Sequence, residues 1–224
     1  MEREVRWHRS YREVTRYPYF HNKLAGKLIT CLLFLWEILL FYTDPFEYIL
    51  IEDCLPDNVF EGLLKEARDH VENAAEKREN PAIMTDLFPF INKAMFDKFS
   101  KVRQFDPKFA FKRIEWSVQP PGYQFKKHID YGPKILTAVL YVSPKMNCGT
   151  ILYDENENEI EVPWKPNSIF IHCPYEGTLH SYHNPSDKDY RVTIMCHIVD
   201  AKRLDPKKDG DVRKYFNTAI SKLK

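Results

Sequence analysis

The clearest pattern in the chain is an alternation of apolar and polar positions towards its C-terminal end. In 190–199 (YRVTIMCHIV), Val192, Ile194, Cys196 and Ile198 share one face, and Arg191, Thr193, Met195 and His197 share the other. A period of two marks a strand with one face on a core. Similar short runs occupy 111–119, 134–142, 150–153, 159–162, 168–173 and 178–182, with Pro, Gly, Asn and Asp between them. Many short strands separated by turn signals predict a sandwich or barrel. Upstream the period changes. Val59, Leu63, Ala67 and Val71 recur at helical spacing behind Asp57, which predicts a helix over about 58–77 with Asp57 as its N-cap. A second helix is expected over 90–99, and a short strand over 46–51 (FEYILI).

The architecture these elements imply is mostly β with flanking helices: N-terminal helices packed on a double-stranded β-helix, the jelly-roll form of a cupin-like core. Three regions follow. Residues 1–43 form an extension with an apolar helix at 28–42 (LITCLLFLWEILLFY), 44–203 form the main domain with its jelly roll from about 111, and 204–224 form a polar tail or helix. The apolar run has a basic-rich flank, as a membrane anchor would. Its span of about 15 residues is nonetheless short of the roughly 20 that cross a bilayer, and Glu37 sits near its centre. A helix buried against a sheet or partner is therefore expected, with membrane association as the alternative. The 224 residues carry 33 Lys+Arg and 32 Asp+Glu, a formal net charge of +1, so no global basic field argues for nucleic acid. Five cysteines are scattered without a C-x-x-C pair, which argues against structural zinc and a disulfide framework and suits a reducing cytoplasm.

The candidate chemistry lies in three places. His128-Ile129-Asp130 sits between Pro121-Gly122 and Gly132-Pro133. An extended backbone would turn both side chains to one side. An imidazole and a carboxylate on one face make two-thirds of a facial triad for Fe(II). In 178–183 (TLHSYH) Thr178, His180 and Tyr182 alternate with Leu179, Ser181 and His183. His180 is the preferred third ligand, because Leu179 then faces an apolar layer and His183 approaches the turn at Asn184-Pro185. His183 and His172 are the competing histidines, and His172 lies on an otherwise apolar strand. On the last strand, Arg191 and Thr193 face inward. A buried guanidinium needs an anion, and a dicarboxylate suits its bidentate fork. The plain alternative is a surface arginine paired with Asp187 or Asp189.

The order H-x-D, then His180 52 positions after His128, then Arg191 eleven positions later, resembles the Fe(II)/2-oxoglutarate-dependent oxygenases, and their prolyl-hydroxylase-like branch in particular. The resemblance runs from about Phe46 to Asp200. The stretch 137–143 (TAVLYVS) resembles the family strand whose tyrosine binds the distal carboxylate of 2-oxoglutarate, which implies that role for Tyr141. Gly149-Thr150-Ile151-Leu152 resembles the family's G-G-x-L turn, with Cys148 in place of the first glycine. The resemblance implies a dioxygenase that uses Fe(II), 2-oxoglutarate and O₂, with ascorbate as candidate reductant, and hydroxylates an unactivated C–H bond while releasing succinate and CO₂. Related halogenases lack the carboxylate that Asp130 supplies here. The alternative is a cupin-like metal- or ligand-binding module without turnover. The substrate is a small molecule or a peptide; Tyr123, Phe125, Lys126, Lys127 and Tyr131 flank the H-x-D motif with aromatic and basic groups.

Overall fold

A computed structural model describes residues 40–72, 96–130, 132–205 and 207. In chain order the elements are β1 (Leu40–Tyr42), β2 (Tyr48–Ile51), α1 (Asp57–Glu72), β3 (Ala110–Gln119), β4 (Gln124–His128), β5 (Lys134–Ser143), β6 (Ile151–Tyr153), β7 (Glu159–Glu161), β8 (Ile169–His172), β9 (His180–His183) and β10 (Arg191–Asp200). They build two antiparallel sheets. One has the order β1-β2-β8-β5-β10-β3 and the other β4-β9-β6-β7. Each crosses between distant parts of the sequence, giving a jelly-roll-like, mostly β domain.

The alternation on β10 sets the layers. Val192, Ile194, Cys196 and Ile198 are buried on the outer face, together with Leu136, Ala138, Leu140 and Val142 of β5 and Ile169 and Ile171 of β8. Leu63 and Ala67 of α1 join the same cluster, with Val59 and Val71 packed against it. The helix therefore lays its apolar stripe on the outer face of the six-stranded sheet. The inner face meets the four-stranded sheet. There Tyr48, Leu50, Tyr141 and Phe170 pack with Leu152 and Val162 in a second apolar cluster.

Two junctions pin these layers. Asn167, held at φ 67°, is buried; its side chain accepts from the Leu55 backbone N–H at 3.0 Å and donates to the Leu55 carbonyl at 2.8 Å. That bidentate pair ties the approach to α1 to the turn before β8. Gly149 is required by close approach, because a Cβ there would lie 1.7 Å from the Val162 carbonyl oxygen. This is where the G-G-x-L-like turn keeps its second glycine and tolerates Cys148 in place of the first.

The expected strands appear within one or two residues of their predicted ends, and β4 is added to them. Helix α1 starts one residue earlier than expected: the Pro56 carbonyl accepts the first helical bond from Phe60, so Asp57 is already inside the first turn. The apolar run 28–42 does not end as a helix. Leu40–Tyr42 pair with β2 as an edge strand, and the rest of that run lies outside the described residues. A short apolar run cannot by itself distinguish helix from strand, and here the free edge of β2 decides it. Most of the expected second helix and of the C-terminal tail also lie outside the described residues. No helix among the described residues is long and apolar enough to cross a membrane.

The outer face should carry most of the stability. Ile194→Ala removes a fully buried side chain and should cost ~2–5 kcal/mol in urea unfolding. Met146→Ala, at a position 80 % exposed, should stay within ~0.5 kcal/mol of wild type.

Candidate active site

The inner face of the six-stranded sheet is polar where β3, β5, β8 and β10 run side by side. Cross-strand register places Arg113, His197, Thr137 and His172 in one row across the sheet. Glu115, Met195, Val139 and Phe170 form the next row, and Ser117, Thr193 and Tyr141 the one after. At the far end of β10, Arg191 pairs with Gln119. A cavity of about 250 Å³ lies between this face and Phe125, His128, His180 and Tyr182 of the smaller sheet.

His128, Asp130 and His180 come together in this cavity. One ligand atom from each lies within 4.8 Å of the other two. His128 ends β4 and His180 begins β9, and the two strands pair at these residues. Asp130 follows β4 directly and returns its carboxylate to the same side, with Oδ1 3.9 Å from His128 Nε2. The two imidazoles are held alike. Nδ1 of His128 bonds the Lys126 carbonyl at 3.1 Å, and Nδ1 of His180 bonds the Thr178 carbonyl at 2.9 Å. A carbonyl only accepts, so each Nδ1 carries a proton, and the neutral form of each ring presents its lone pair at Nε2. Hydrogen bonds of this kind to the remote ring nitrogen orient metal-binding histidines.

The charges are arranged to match. Burial, and then His180, lower the His128 pKa to about 4, against the pull of Asp130. Burial opposes the charge on Asp130, but the Lys134 ammonium, followed by His197, His180 and His172, holds the carboxyl well below its ordinary range. Lys134 Nζ donates to Asp130 Oδ1 at 2.6 Å, and Thr137 Oγ1 donates to Oδ2. Two imidazoles and one ionised carboxylate form a donor set that fits a ferrous ion and leaves further coordination positions open.

Arg191 is 2 % exposed at the other end of the cavity. Its Nε donates to the Cys148 carbonyl at 3.3 Å and an Nη to Gln119 Oε1 at 3.4 Å. The rings of Tyr182, Trp164 and Tyr141 surround the guanidinium at 4.6, 5.0 and 5.9 Å. Among the described residues no carboxylate pairs with it, so neither Asp187 nor Asp189 is its counter-ion. Thr193 lines the cavity beside it. Tyr141 stands behind the lining: its hydroxyl bonds Thr150 Oγ1 and accepts from the Thr150 N–H, both at 3.0 Å, and Thr150 is the residue that reaches the cavity. Near the H-x-D motif, Phe125 lines the cavity, whereas Lys126 is exposed and Lys127 pairs with Glu157 at the surface.

Comparison with solved structures adds the fold-level relation. The non-heme alpha-ketoglutarate-dependent epimerase SnoN from nogalamycin biosynthesis is 15 % identical over 69 % of this chain and 76 % of its own, with a TM-score of 0.50. The viral collagen prolyl hydroxylase of Paramecium Bursaria Chlorella virus-1, solved as its 2OG complex, is 13 % identical over 68 % of this chain and 94 % of its own, also at 0.50. The chain shares the fold of these two proteins. No family model matches the sequence, and no curated protein matches it. The likeness to the oxygenase fold thus rests on chain path rather than on sequence.

Several residues of the site were not singled out as functional from sequence. Lys134 stands four residues after Asp130, a spacing that offered the one available signal. His172 was set aside because its strand is apolar, yet it is fully buried in the cavity wall, with Nε2 3.7 Å from Asp130 Oδ2 and neither ring nitrogen hydrogen-bonded. Burial and then His180 lower its pKa to about 3. His183, the other competitor, lies outside the cavity lining.

These depressed values set an acid limit. The metal-free folded protein binds fewer protons than the unfolded chain once pH falls below the ordinary histidine value of 6.5. Stability is complete above that pH and is lost as pH falls towards 4 and 3, at up to about 1.4 kcal/mol per pH unit for each buried histidine. His172→Phe should make the slope between pH 6 and 4 shallower by up to that amount in urea unfolding of metal-free protein. An unchanged slope would show that His172 is protonated equally in both states.

Proposed function

We propose that the protein is an Fe(II)- and 2-oxoglutarate-dependent dioxygenase that hydroxylates an unactivated C–H bond, within the prolyl-hydroxylase-like branch and on a double-stranded β-helix core. The observation that carries this reading is Arg191: a buried cation with no carboxylate partner among the described residues, in the same cavity as two histidines held at Nδ1 and an ionised aspartate. An unpaired buried charge is costly, and a dicarboxylate cosubstrate that reaches from the metal to the guanidinium removes that cost.

In this reading His128 and His180 offer Nε2, and Asp130 offers one carboxylate oxygen, as the three protein ligands of Fe(II). Bound together, iron and 2-oxoglutarate supply the activation of O₂, with succinate and CO₂ as coproducts. The chain's own contribution is position and environment. Lys134 and Thr137 fix the plane of the Asp130 carboxylate. Arg191 holds the far carboxylate of the cosubstrate through its fork, and Thr150 and Thr193 line the space between. Tyr141 supports this end by fixing Thr150 and by covering the guanidinium. The aromatic rings around Arg191 exclude water, so the pairing acts at low dielectric.

One observation favours the second reading, a cupin-like metal-binding module without turnover. His172 brings a fourth donor, an imidazole without a hydrogen-bond partner among the described residues, to within 3.7 Å of Asp130, and a site with four protein donors has less room for a chelating cosubstrate and O₂. Arg191 separates the two, since a passive metal site has no use for a buried dicarboxylate clamp.

Turnover of 2-oxoglutarate to succinate should require Fe(II) and disappear in His128→Ala, Asp130→Ala and His180→Ala. Arg191→Lys keeps the charge but loses the fork. It should raise the 2-oxoglutarate concentration for half-maximal succinate formation about 10- to 100-fold and leave Fe(II) affinity near wild type. An unchanged 2-oxoglutarate dependence in both Arg191→Lys and Arg191→Ala would remove the clamp and favour the passive module.

A further inference from the structure

The cavity has two cationic ends, and the proposed reaction uses only one. Arg191 begins β10 opposite Gln119, whereas Arg113 stands opposite His197 and Lys134 opposite Val199. Six to eight residues of strand separate the two ends, about 20–26 Å along β10 at its usual rise. Asp130 lies at the Lys134 end, and His172 and Thr137 flank it there. A cosubstrate that extends from the metal to Arg191 therefore leaves the Lys134 end free.

The charges at that end do not balance once the site is loaded. Three cations, Arg113, Lys134 and Arg191, and two carboxylates, Glu115 and Asp130, line the cavity. Arg113 and Glu115 neutralise each other at 2.7 Å. Fe(II) with Asp130 and the near carboxylate of 2-oxoglutarate is neutral, and Arg191 takes the far carboxylate. Asp130 then offsets the metal while still ion-paired with Lys134 at 2.6 Å, and the loaded cavity keeps one positive charge in excess at the Lys134 end. Lys134 is 16 % exposed and faces the cavity beside the metal ligands. Across β10 from it, the buried Nε of Arg113 also lacks a hydrogen-bond partner among the described residues. Neutral substrates leave this excess in place; an anionic one removes it.

We infer that the substrate carries a carboxylate or a phosphate, and that Lys134 seats this group beside the metal, with Arg113 facing the same cavity from across β10. The inference rests on the proposed oxygenase function and narrows its substrate class. It makes Lys134 a specificity-determining residue as well as the group that positions Asp130.

The test uses the full chain loaded with Mn(II) and saturating 2-oxoglutarate, and measures paramagnetic broadening of small-molecule proton signals. Three probes are compared: N-acetyl-L-proline, its neutral isostere N-acetyl-L-prolinamide, and glycerol 3-phosphate. At least one anion should be broadened about tenfold more than the amide, the factor that corresponds to one charge-assisted hydrogen bond. With each probe's broadening taken relative to that of 2-oxoglutarate in the same variant, Lys134→Met should abolish this preference and Lys134→Arg should retain it. Response to the proline acid alone assigns a carboxylate; response to the phosphate alone assigns a phosphate. Equal broadening of acid, phosphate and amide, or a preference that survives Lys134→Met, would overturn the inference and leave the oxygenase reading intact. Failure of 2-oxoglutarate itself to broaden in the wild type would overturn both.

Discussion

Arg191 is a buried cation without an anion among the described residues, and that imbalance governs the inner face of the six-stranded sheet. A protein rarely keeps a charge at 2 % exposure without a partner. The surrounding groups soften the cost rather than remove it: a carbonyl, a side-chain amide and three aromatic faces all present negative charge density, but none is an anion. The rest of the inner face responds to the same constraint. Asp130 is matched by Lys134, and Arg113 by Glu115. The histidines between them stay neutral where their values are shifted, because burial and mutual repulsion disfavour a further positive charge.

The outer face explains how such a site is sustained. Period-two alternation on β5, β8 and β10 turns one set of side chains into an apolar layer under α1 and the other into the cavity wall. The strands that carry the polar groups are therefore those most firmly held by the core. His128 and His180 gain a second restraint from backbone carbonyls two residues upstream in each case. The donor set is preorganised on rigid elements, as metal and catalytic constellations require.

What the sequence made legible follows the same physics. Inward positions on β10 were readable because alternation fixes the face of every residue, so Arg191, Thr193, Met195 and His197 were placed together in advance. His128 and Asp130 were readable from spacing in an extended segment. Strand register was not readable, since nothing in a single strand's pattern says which residue stands opposite which. Register is what puts His172 beside Thr137 and Thr137 beside His197, and so brings two further histidines to the carboxylate. The apolar neighbours of His172 made it look like a core residue, and it is one, with its edge in the cavity. Lys134 was hidden for a different reason: it opens a strand at a position where a solvated lysine is the ordinary expectation. The strand at Leu40–Tyr42 was missed because an apolar run satisfies helix and strand alike until a sheet edge captures it.

The central claim is that the His128, Asp130 and His180 donors and Arg191 act on one bound molecule, which spans them. Anaerobic visible absorption tests this most directly, because a 2-oxo acid chelated to Fe(II) gives a metal-to-ligand charge-transfer band. Adding Fe(II) and 2-oxoglutarate together should produce this band. Either one alone should not, and neither should Fe(II) with glutarate, which has both carboxylates but lacks the keto oxygen. Protein that binds Fe(II) tightly yet gives no band at saturating 2-oxoglutarate would contradict the claim.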